Sequence, residues 1–476
     1  MDDIISLKKK IDSGELNTKE VFLDSVKKAH DSQEEYNPFV TILDDCEEVE
    51  GPLKGIPYAL KDNVSTSGIL TTGSSNILKN YVPVYDATIY KKLKESGATL
   101  VGKTVLDELA IGGTGTTGHT GVVRNPWDKE RLIGGSSAGS AAAVALGIVP
   151  FAIGSDTGDS IRKPAAYGGV VGFKPTYGRI SRYGLFAFAS SLDHLGVFAR
   201  NVYDAAYVTD IVKGHDSHDM TSLADDNKKY TDTLNNSVKG RKLFYIKEAL
   251  ENPDNDSELN KVIDNFNEVI KKCESIGIEV CGESIDINLL KAMYPVYKTI
   301  SCAEVTSNDS NLTGIHFGVR GEGNTPDEII KDARTKGFSE LIKRRFIIGS
   351  YVLQKENQEK LFLNACRVRR LIVDKVNELF KKYDGIIMPA AASIAPKFGE
   401  KSDELSNKYL ILDNHMVIGN FGGFPSITIP SGFIDNMPVG INLTGRIKED
   451  DIVLNLANQI EETMNYKNQV AGDKNV

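Results

Sequence analysis

Few cysteines and histidines occur in this chain of 476 residues, and none of them shows the spacing of a metal site. The five cysteines are odd in number and scattered, with no C-x-x-C pair, which argues against a disulfide framework and against a structural zinc site. The seven histidines are equally dispersed. The sequence therefore predicts no metal site and reduced, packed cysteines. These are Cys46, Cys273, Cys281, Cys302 and Cys366.

Long apolar runs are also absent. No stretch reaches the length of a membrane span, and the first residues lack the basic start and apolar core of a signal peptide. The net charge of −9 argues against broad electrostatic binding of nucleic acid by this chain alone. A local basic patch at 343–345 or 367–370 stays open as an alternative. We therefore expect a cytoplasmic globular protein that does not bind a membrane.

Helical and strand-like segments alternate along much of the chain, as judged by the spacing of apolar residues. The predicted helices cover 3–11, 18–30, 87–95, 140–146, 262–276 and 451–463. The predicted strands cover 99–102, 149–153, 243–246, 278–280, 386–389, 427–430 and 439–443. A polar connection at about 214–238 separates the two halves. This order predicts an α/β fold with a mixed or parallel sheet.

Three short segments carry the residues that we single out as catalytic candidates. Lys61 follows an apolar run, Ser136 lies in Gly-Gly-Ser-Ser-Ala-Gly-Ser, and Ser160 lies in Ser-Asp-Thr-Gly-Asp-Ser-Ile-Arg. A serine hydroxyl is a weak nucleophile until a base removes its proton, and burial can lower the pKa of a lysine enough to make it that base. No histidine lies in these segments. The combination predicts a hydrolytic site with two serines and one lysine.

Two local patterns offer other interpretations of the same serines. Gly-Ser-Ser-Ala-Gly fits G-x-S-x-G, which would make Ser137 a nucleophile, but the preceding residues 125–131 read as a polar loop rather than an apolar strand. Ser160 and Lys163 fit S-x-x-K, but the companion S-D-N and K-T-G patterns are absent from the sequence. We interpret Lys163 as a surface charge or a charge behind the site. A third interpretation is that these segments only form tight turns and helix starts.

The three segments, taken in this order, resemble the signature of the amidase-signature family of serine hydrolases. The resemblance implies that Ser160 is the nucleophile, that Ser136 follows a cis peptide and relays the proton, and that Lys61 is the base. It also implies a central mixed β-sheet covered by helices on both faces, formed by residues 1–466 as one domain with 467–476 as a flexible tail. The expected parts of this domain are N-terminal helices at 1–35, a signature core at about 51–213, a mostly helical insertion at about 250–382 and a return to the sheet at about 384–466.

Within the family the resemblance is closest to one branch, the glutamine-hydrolysing A subunits of tRNA-dependent amidotransferases. These three-subunit enzymes convert Glu-tRNA(Gln) to Gln-tRNA(Gln). Their A subunit hydrolyses glutamine and passes ammonia to the B subunit, where ATP and magnesium activate the tRNA-bound glutamate. The resemblance implies B and C subunits as partners, contact with tRNA mainly through the B subunit, and no cofactor in this chain.

A glutaminase must bind the α-carboxylate and the α-ammonium of its substrate, for which an arginine and an acid are complementary. By the resemblance, Arg345 binds the carboxylate, Asp413 binds the ammonium and Tyr297 adds a hydrogen bond. Each has a plain alternative as a helix-surface charge or a core aromatic. Two other functions stay open: a free-standing amidase for another small amide, and a structural subunit whose site has lapsed.

Asp159 departs from the family pattern, since most members of the family have glycine just before the nucleophile. The backbone amides of Thr157, Gly158 and Asp159 are expected to face the oxyanion of a tetrahedral intermediate. An aspartate still offers its N–H group, but its carboxylate would oppose a developing negative charge. We therefore expect the Asp159 side chain to turn away and to be bound by Arg162, Lys163 or nearby backbone amides.

Overall fold

Eleven strands form one sheet in the computed structural model, which describes residues 2–252, 254–399 and 410–471. The strands are β1 (Phe39–Ile42), β2 (Pro57–Lys61), β3 (Thr99–Thr104), β4 (Phe151–Asp156), β5 (Val171–Lys174), β6 (His194–Ala199), β7 (Lys242–Ile246), β8 (Glu279–Glu283), β9 (Gly385–Pro389), β10 (Ser426–Ile434) and β11 (Met437–Gly445). Their order is β1-β3-β2-β4-β6-β5-β10-β11-β9-β7-β8.

The sheet is mixed. β2 runs parallel to its neighbours β3 and β4, and β7 runs parallel to β8 and β9. The remaining neighbours pair antiparallel. The prediction of an α/β fold with a mixed or parallel sheet is therefore confirmed in its mixed form.

Helices connect the strands and cover the sheet. They are α1 (Ile4–Asp12), α2 (Thr18–Tyr36), α3 (Thr88–Glu95), α4 (Ala138–Ala145), α5 (Arg162–Gly168), α6 (Val202–Val212), α7 (Ser257–Ser275), α8 (Ile287–Asn308), α9 (Pro326–Gly337), α10 (Glu340–Leu353), α11 (Lys355–Gln358), α12 (Asn364–Leu379), α13 (Leu410–Asn414), α14 (Val417–Phe421) and α15 (Asp450–Glu461). None of the described helices combines the length and the apolar character that crossing a bilayer requires.

Alternating side chains of the central strands enter two different cores. On β2, Tyr58 and Leu60 pack in a core that includes residues of α3, α6 and α15, whereas Ala59 packs in a core with residues of α2 and α4. Successive side chains of a strand point to opposite faces, so helices cover both faces of the sheet, as expected. Every residue of β2 is buried for this reason, including Lys61 at its carboxyl end.

The helical segment between β8 and β9 packs against the other half of the sheet. Phe244 of β7 and Met388 of β9 share a core with residues of α8, α10 and α12. α8 packs against α10, α12 and α13, and it also contacts the turn that follows β4. The division of the chain into the parts named above stays a prediction, and residues 472–476 of the expected tail lie outside the described residues.

Candidate active site

Lys61 lies at the carboxyl end of β2, between β3 and β4, and is fully buried. Its Nζ is 2.7 Å from Ser136 Oγ and 2.8 Å from Ser155 Oγ, and it lies 3.3 Å from the Ser155 carbonyl oxygen. Asn63 Nδ2 donates to the same Ser155 Oγ at 3.1 Å. The structure thus brings Lys61 into direct contact with Ser136, which lies far away in the sequence.

Burial lowers the pKa of Lys61 to about 7. The pKa stays low although the carboxylates of Asp107, Asp156 and Asp193 each favour the charged lysine. A lysine with this pKa is about half neutral near pH 7. The 2.7 Å contact with Ser136 Oγ is short enough for proton transfer between the two groups.

Asp107 contacts the loop that carries Ser136. The peptide bond between Gly135 and Ser136 is cis. Asp107 donates its backbone N–H to the Ser136 carbonyl at 3.1 Å. A Cβ atom added at Gly135 would lie 2.0 Å from Asp107 Oδ2, so only glycine fits there. The Asp107 carboxylate in turn accepts backbone N–H groups at 3.0 to 3.3 Å from Thr114, Gly115, Thr116 and Thr117.

Ser160 lies in the turn between β4 and α5 and is 5% exposed. Its carbonyl accepts the backbone N–H of Ser137 at 3.2 Å, which joins the second and third segments. Its Oγ makes no hydrogen bond with any described residue. Ser137, by contrast, donates its hydroxyl to the Ser155 carbonyl at 3.0 Å and accepts the Ser155 N–H at 3.3 Å. The hydroxyl of Ser137 is therefore occupied within the fold.

The turn before Ser160 is held through side-chain and carbonyl groups. Thr157 Oγ1 donates to Asp193 at 2.6 Å, and Arg162 Nη2 donates to the Gly158 carbonyl at 2.7 Å. The backbone N–H of Lys163 donates to the Asp159 carbonyl at 2.8 Å. In the described part of the chain, the N–H groups of Thr157 and Gly158 donate to no protein acceptor. These two N–H groups are available for a substrate oxygen.

Two of the partners predicted for the Asp159 side chain, Arg162 and Lys163, bind other groups instead, so the prediction is wrong for both. Arg162 is fully buried and is committed to the Asp156 carboxylate at 2.9 and 3.0 Å, besides the Gly158 carbonyl and Asn420. The Lys163 ammonium binds Asp413 instead. The reason is that α5 directs both cations toward other acids. Asp159 lies near Tyr297, whose pKa is raised by burial and further by this carboxylate.

Tyr297 of α8 is half-buried and packs directly on the turn before Ser160. A Cβ atom added at Gly158 would lie 3.0 Å from Tyr297 Cζ. The Arg345 guanidinium opposes the rise in the Tyr297 pKa and so lies nearby. Arg345 Nη1 approaches Cys302 Sγ at 4.0 Å, and its Nε is buried without an acceptor among the described residues. A buried guanidinium N–H without an acceptor is costly, and a bound anion would satisfy it.

Asp413 of α13 forms an ion pair with Lys163, at 3.2 Å between Oδ1 and Nζ. The same Oδ1 lies 3.4 Å from the Ala392 backbone nitrogen. Lys163 is 5% exposed and follows Ser160 by less than one helical turn. The interpretation of Lys163 as a surface charge is wrong, because α13 closes over it. The alternative, a charge behind the site, agrees with its place.

Sequence reasoning missed Ser155 and Asp107. Ser155 stands in the third segment as a second hydroxyl close to Ser160, which is a usable signal, but its role depends on β2 and β4 being neighbours. Asp107 has no local signal, since it lies between the first two segments and contacts the loop of Ser136 only after folding. No group of three His, Cys, Asp or Glu side chains in the described ranges is arranged to hold a metal ion.

The sequence profile of the Amidase family matches residues 9–454. The chain belongs to this family. The A subunit of glutamyl-tRNA(Gln) amidotransferase from Heliobacterium modesticaldum is 43% identical over 87% of this chain and 84% of its own length. A protein of the same name from Agathobacter rectalis is 37% identical over 99% of this chain and 95% of its own length.

Solved structures agree with this assignment. The crystal structure of the corresponding A subunit of glutamyl-tRNA(Gln) amidotransferase from Thermotoga maritima is 36% identical, with a TM-score of 0.80 over 95% of each chain. The native peptide amidase from Stenotrophomonas maltophilia is 23% identical, with a TM-score of 0.82 over 98% of this chain and 97% of that one. The second likeness concerns the fold alone.

Proposed function

We propose that this chain is the glutamine-hydrolysing subunit of a tRNA-dependent amidotransferase. The names of relatives that match over most of their length favour this branch of the family. The observation that carries the chemistry is the 2.7 Å contact between a lysine of lowered pKa and Ser136. These features support an amide hydrolase that works through a serine.

In the proposed reaction, neutral Lys61 takes a proton from Ser136, which takes the proton of Ser160. Ser160 Oγ attacks the side-chain amide carbon of glutamine, and the backbone N–H groups of Thr157, Gly158 and Asp159 stabilise the oxyanion. The proton returns through Ser136 to the amide nitrogen, and ammonia leaves. Water then attacks the γ-glutamyl ester at Ser160, which releases glutamate and restores the hydroxyl.

Substrate binding is assigned to the residues around Tyr297. The guanidinium of Arg345, with its buried Nε, would bind the α-carboxylate, and the hydroxyl of Tyr297 would add a hydrogen bond. By the resemblance, Asp413 would bind the α-ammonium, next to Lys163, with which it forms an ion pair. Tyr297 lies on α8, and the other two residues lie on helices that pack against α8.

The ammonia would be used by other subunits. We propose that the chain assembles with B and C subunits, that the B subunit binds tRNA, and that ATP and magnesium act there rather than in this chain. The test is glutamine hydrolysis by the purified chain with and without candidate B and C subunits. Strong stimulation by the partners would support the assignment. Unstimulated hydrolysis of other small amides would favour a free-standing amidase instead.

The pH dependence of hydrolysis tests the state of Lys61. Because the base must be neutral, kcat/KM for glutamine should fall about tenfold for each pH unit below the Lys61 pKa of about 7, and level off above it. The measurement is a profile of kcat/KM from roughly pH 5 to 9, with assembly of the complex verified at each pH. A profile that is flat down to its acid limit would show that no group with this pKa acts as the base.

Arg345 tests the binding of the carboxylate. Arg345→Met should raise the KM for glutamine by roughly 30- to 700-fold, on the order of 2 to 4 kcal/mol, because the carboxylate would enter a buried site without its cation. Lys343→Met on the same helix is the matched control, since Lys343 pairs with the exposed Glu340. Equal KM values for the two variants would show that Arg345 is a helix-surface charge that does not bind the carboxylate.

A further inference from the structure

The register of the sheet places an acid opposite the turn that precedes Ser160. β4 and β6 are antiparallel neighbours, and Asp156 at the end of β4 pairs with His194 at the start of β6. One residue beyond this pair, Thr157 follows β4 and Asp193 precedes β6. Thr157 Oγ1 donates to Asp193 Oδ1 at 2.6 Å, and both residues are buried. This hydrogen bond therefore joins the turn to the start of β6 away from solvent.

The Asp193 carboxylate is held on its other side by residues 188–193, which we call the anchor loop. Its oxygens accept the backbone N–H of Phe188 at 3.0 Å and that of Ala189 at 3.0 and 3.1 Å. An ionised carboxylate only accepts hydrogen bonds, so these N–H donors orient it. The hydroxyl of Thr157 therefore donates to an acceptor whose position is set by the backbone of the anchor loop.

Two helices hold the anchor loop from outside. Glu304 of α8 accepts the Ser191 backbone N–H at 2.9 Å and the Ser191 hydroxyl at 2.6 Å. Asn308 of α8 donates to the Phe188 carbonyl at 3.1 Å, and Arg369 of α12 donates to the Ser191 carbonyl at 3.1 Å. The anchor loop is thus bound by side chains of α8 and α12 while its own Asp193 binds the turn.

The side-chain bond of Thr157 leaves the neighbouring backbone N–H groups free for a substrate. Neither the N–H of Thr157 nor that of Gly158 donates to a protein acceptor within the described ranges. These two N–H groups belong to the two peptide units that meet at the Thr157 Cα atom. Because each residue has only two soft backbone torsions, holding the Thr157 side chain limits the rotation of both peptide units. An oxyanion hole is effective only when its donors already point to where the charge develops.

We propose that Asp193 is a positioning residue for the reaction: through the Thr157 hydroxyl, it holds the two peptide N–H groups that bind the oxyanion. The proposal rests on the proposed function, because it concerns the same hydrolytic turn. Asp193 acts through Thr157 and not on the substrate itself. Its effect belongs to the transition state, so its loss lowers kcat and leaves the binding of glutamine unchanged.

Thr157→Val tests the proposal, since it removes the hydroxyl and keeps the branched shape. In the assembled complex it should lower kcat for glutamine by about 10- to 100-fold and leave KM within about twofold of the parent value. Both the formation and the breakdown of the γ-glutamyl ester pass through an oxyanion, so kcat falls whichever step limits the rate. Assays at about pH 8 keep Lys61, with its pKa of about 7, mostly neutral, and keep Asp193 ionised, since burial raises its pKa only to about 6.

Thr157→Ser is the conservative variant. It keeps the hydroxyl and should retain kcat within about threefold of the parent value. A Thr157→Val complex with the parent kcat would overturn the proposal. A Thr157→Ser complex as slow as Thr157→Val would also overturn it, because the hydroxyl would then make no difference.

Asp193→Ala tests whether the hydroxyl acts through the acid. In this background the Thr157 hydroxyl has lost its acceptor, so adding Thr157→Val should change kcat by less than about threefold. An equal loss of kcat in both backgrounds would show that Thr157 acts without Asp193, which contradicts the proposal. If Asp193→Ala fails to fold, the two single variants of Thr157 still decide.

Thr231→Val is the matched control for the loss of a hydrogen bond between a threonine and an aspartate. Thr231 Oγ1 donates to Asp210 Oδ2 at 3.0 Å, in a short helical turn that packs on α6. Thermal unfolding of both variants measures the stability that each loses. Thr231→Val should lower the melting temperature and leave kcat at the parent value. An equal fall of kcat in Thr231→Val and Thr157→Val would mean a general loss of stability and would contradict the proposal.

The same measurements separate failure of this proposal from failure of the proposed function. If the unaltered complex hydrolyses glutamine and Thr157→Val does so at the parent kcat, only the role of Asp193 is wrong. If the unaltered complex hydrolyses another small amide but not glutamine, the proposed function is wrong, and the effect of Thr157→Val on that amide decides the role of Asp193. If it hydrolyses no amide while still using free ammonia, the hydrolytic assignment fails, and the inference fails with it.

Discussion

Ser160→Ala should lower the rate of glutamine-dependent amidation by the assembled complex by about 10⁴-fold or more, while amidation with free ammonia continues. The substitution removes the atom that attacks the amide, so no γ-glutamyl ester forms and no ammonia is released. The Ser160 Oγ makes no hydrogen bond with a described residue, and the side chain is small. The loss of the hydroxyl should therefore leave the fold and the assembly intact.

The measurement is the rate of Gln-tRNA(Gln) formation with glutamine and with an ammonium salt, on complexes of verified composition. Ammonia-dependent activity is the internal control, because it requires the assembled complex but not the hydrolytic site. Loss of both activities on an assembled complex would contradict the proposed division of the two reactions between subunits. Persistence of glutamine-dependent activity would show that another group is the nucleophile.

Lys61→Arg should be nearly as damaging as Lys61→Ala, each lowering kcat by about 10²- to 10⁴-fold. Arginine keeps the positive charge but does not readily lose a proton, so it cannot act as the base. The lowered pKa of Lys61 is a consequence of its full burial, and the contact with Ser136 gives the proton its path. An arginine variant that kept most of the activity would make Lys61 an electrostatic group instead.

Lys103→Arg is a matched control for the packing effect of a guanidinium. Lys103 is also fully buried, on the neighbouring strand β3, and donates to the Val64 carbonyl at 2.6 Å and to the hydroxyls of Thr66 and Thr71. Thermal unfolding of both arginine variants measures the loss of stability. Lys103→Arg should lower the melting temperature but leave kcat of the folded complex close to the parent value.

Local sequence patterns are sufficient to predict the strands that pack between helices. The sequence predicts β3 and β4 because each follows an amphipathic or apolar helix and reads as a short apolar run. It does not predict β5 and β6, although both are buried. Each contains a glycine that permits close packing: a Cβ atom at Gly172 would lie 2.6 Å from Ala165 Cβ, and one at Gly196 would lie 2.2 Å from the Phe173 carbonyl oxygen. Local propensity penalises such glycines, whereas the packed sheet requires them.

For a similar reason, the sequence predicts some residues of the candidate site but not the contacts between distant elements. The order of the three segments points to Lys61, Ser136 and Ser160, and the structure places Lys61 and Ser136 in contact. The pairing of Lys163 with Asp413 cannot be predicted, since it joins α5 to α13 across more than half of the chain. Such contacts depend on how elements pack, and no local spacing encodes them.

Covalent trapping of the nucleophile tests the central claim most directly. The assembled complex is treated with a diazo ketone analogue of glutamine, digested, and analysed by mass spectrometry. We predict one adduct, on Ser160, that is absent from Ser160→Ala and prevented by excess glutamine. An adduct on Ser136 or Ser137, or no adduct on a complex that hydrolyses glutamine, would contradict the assignment of Ser160 as the nucleophile.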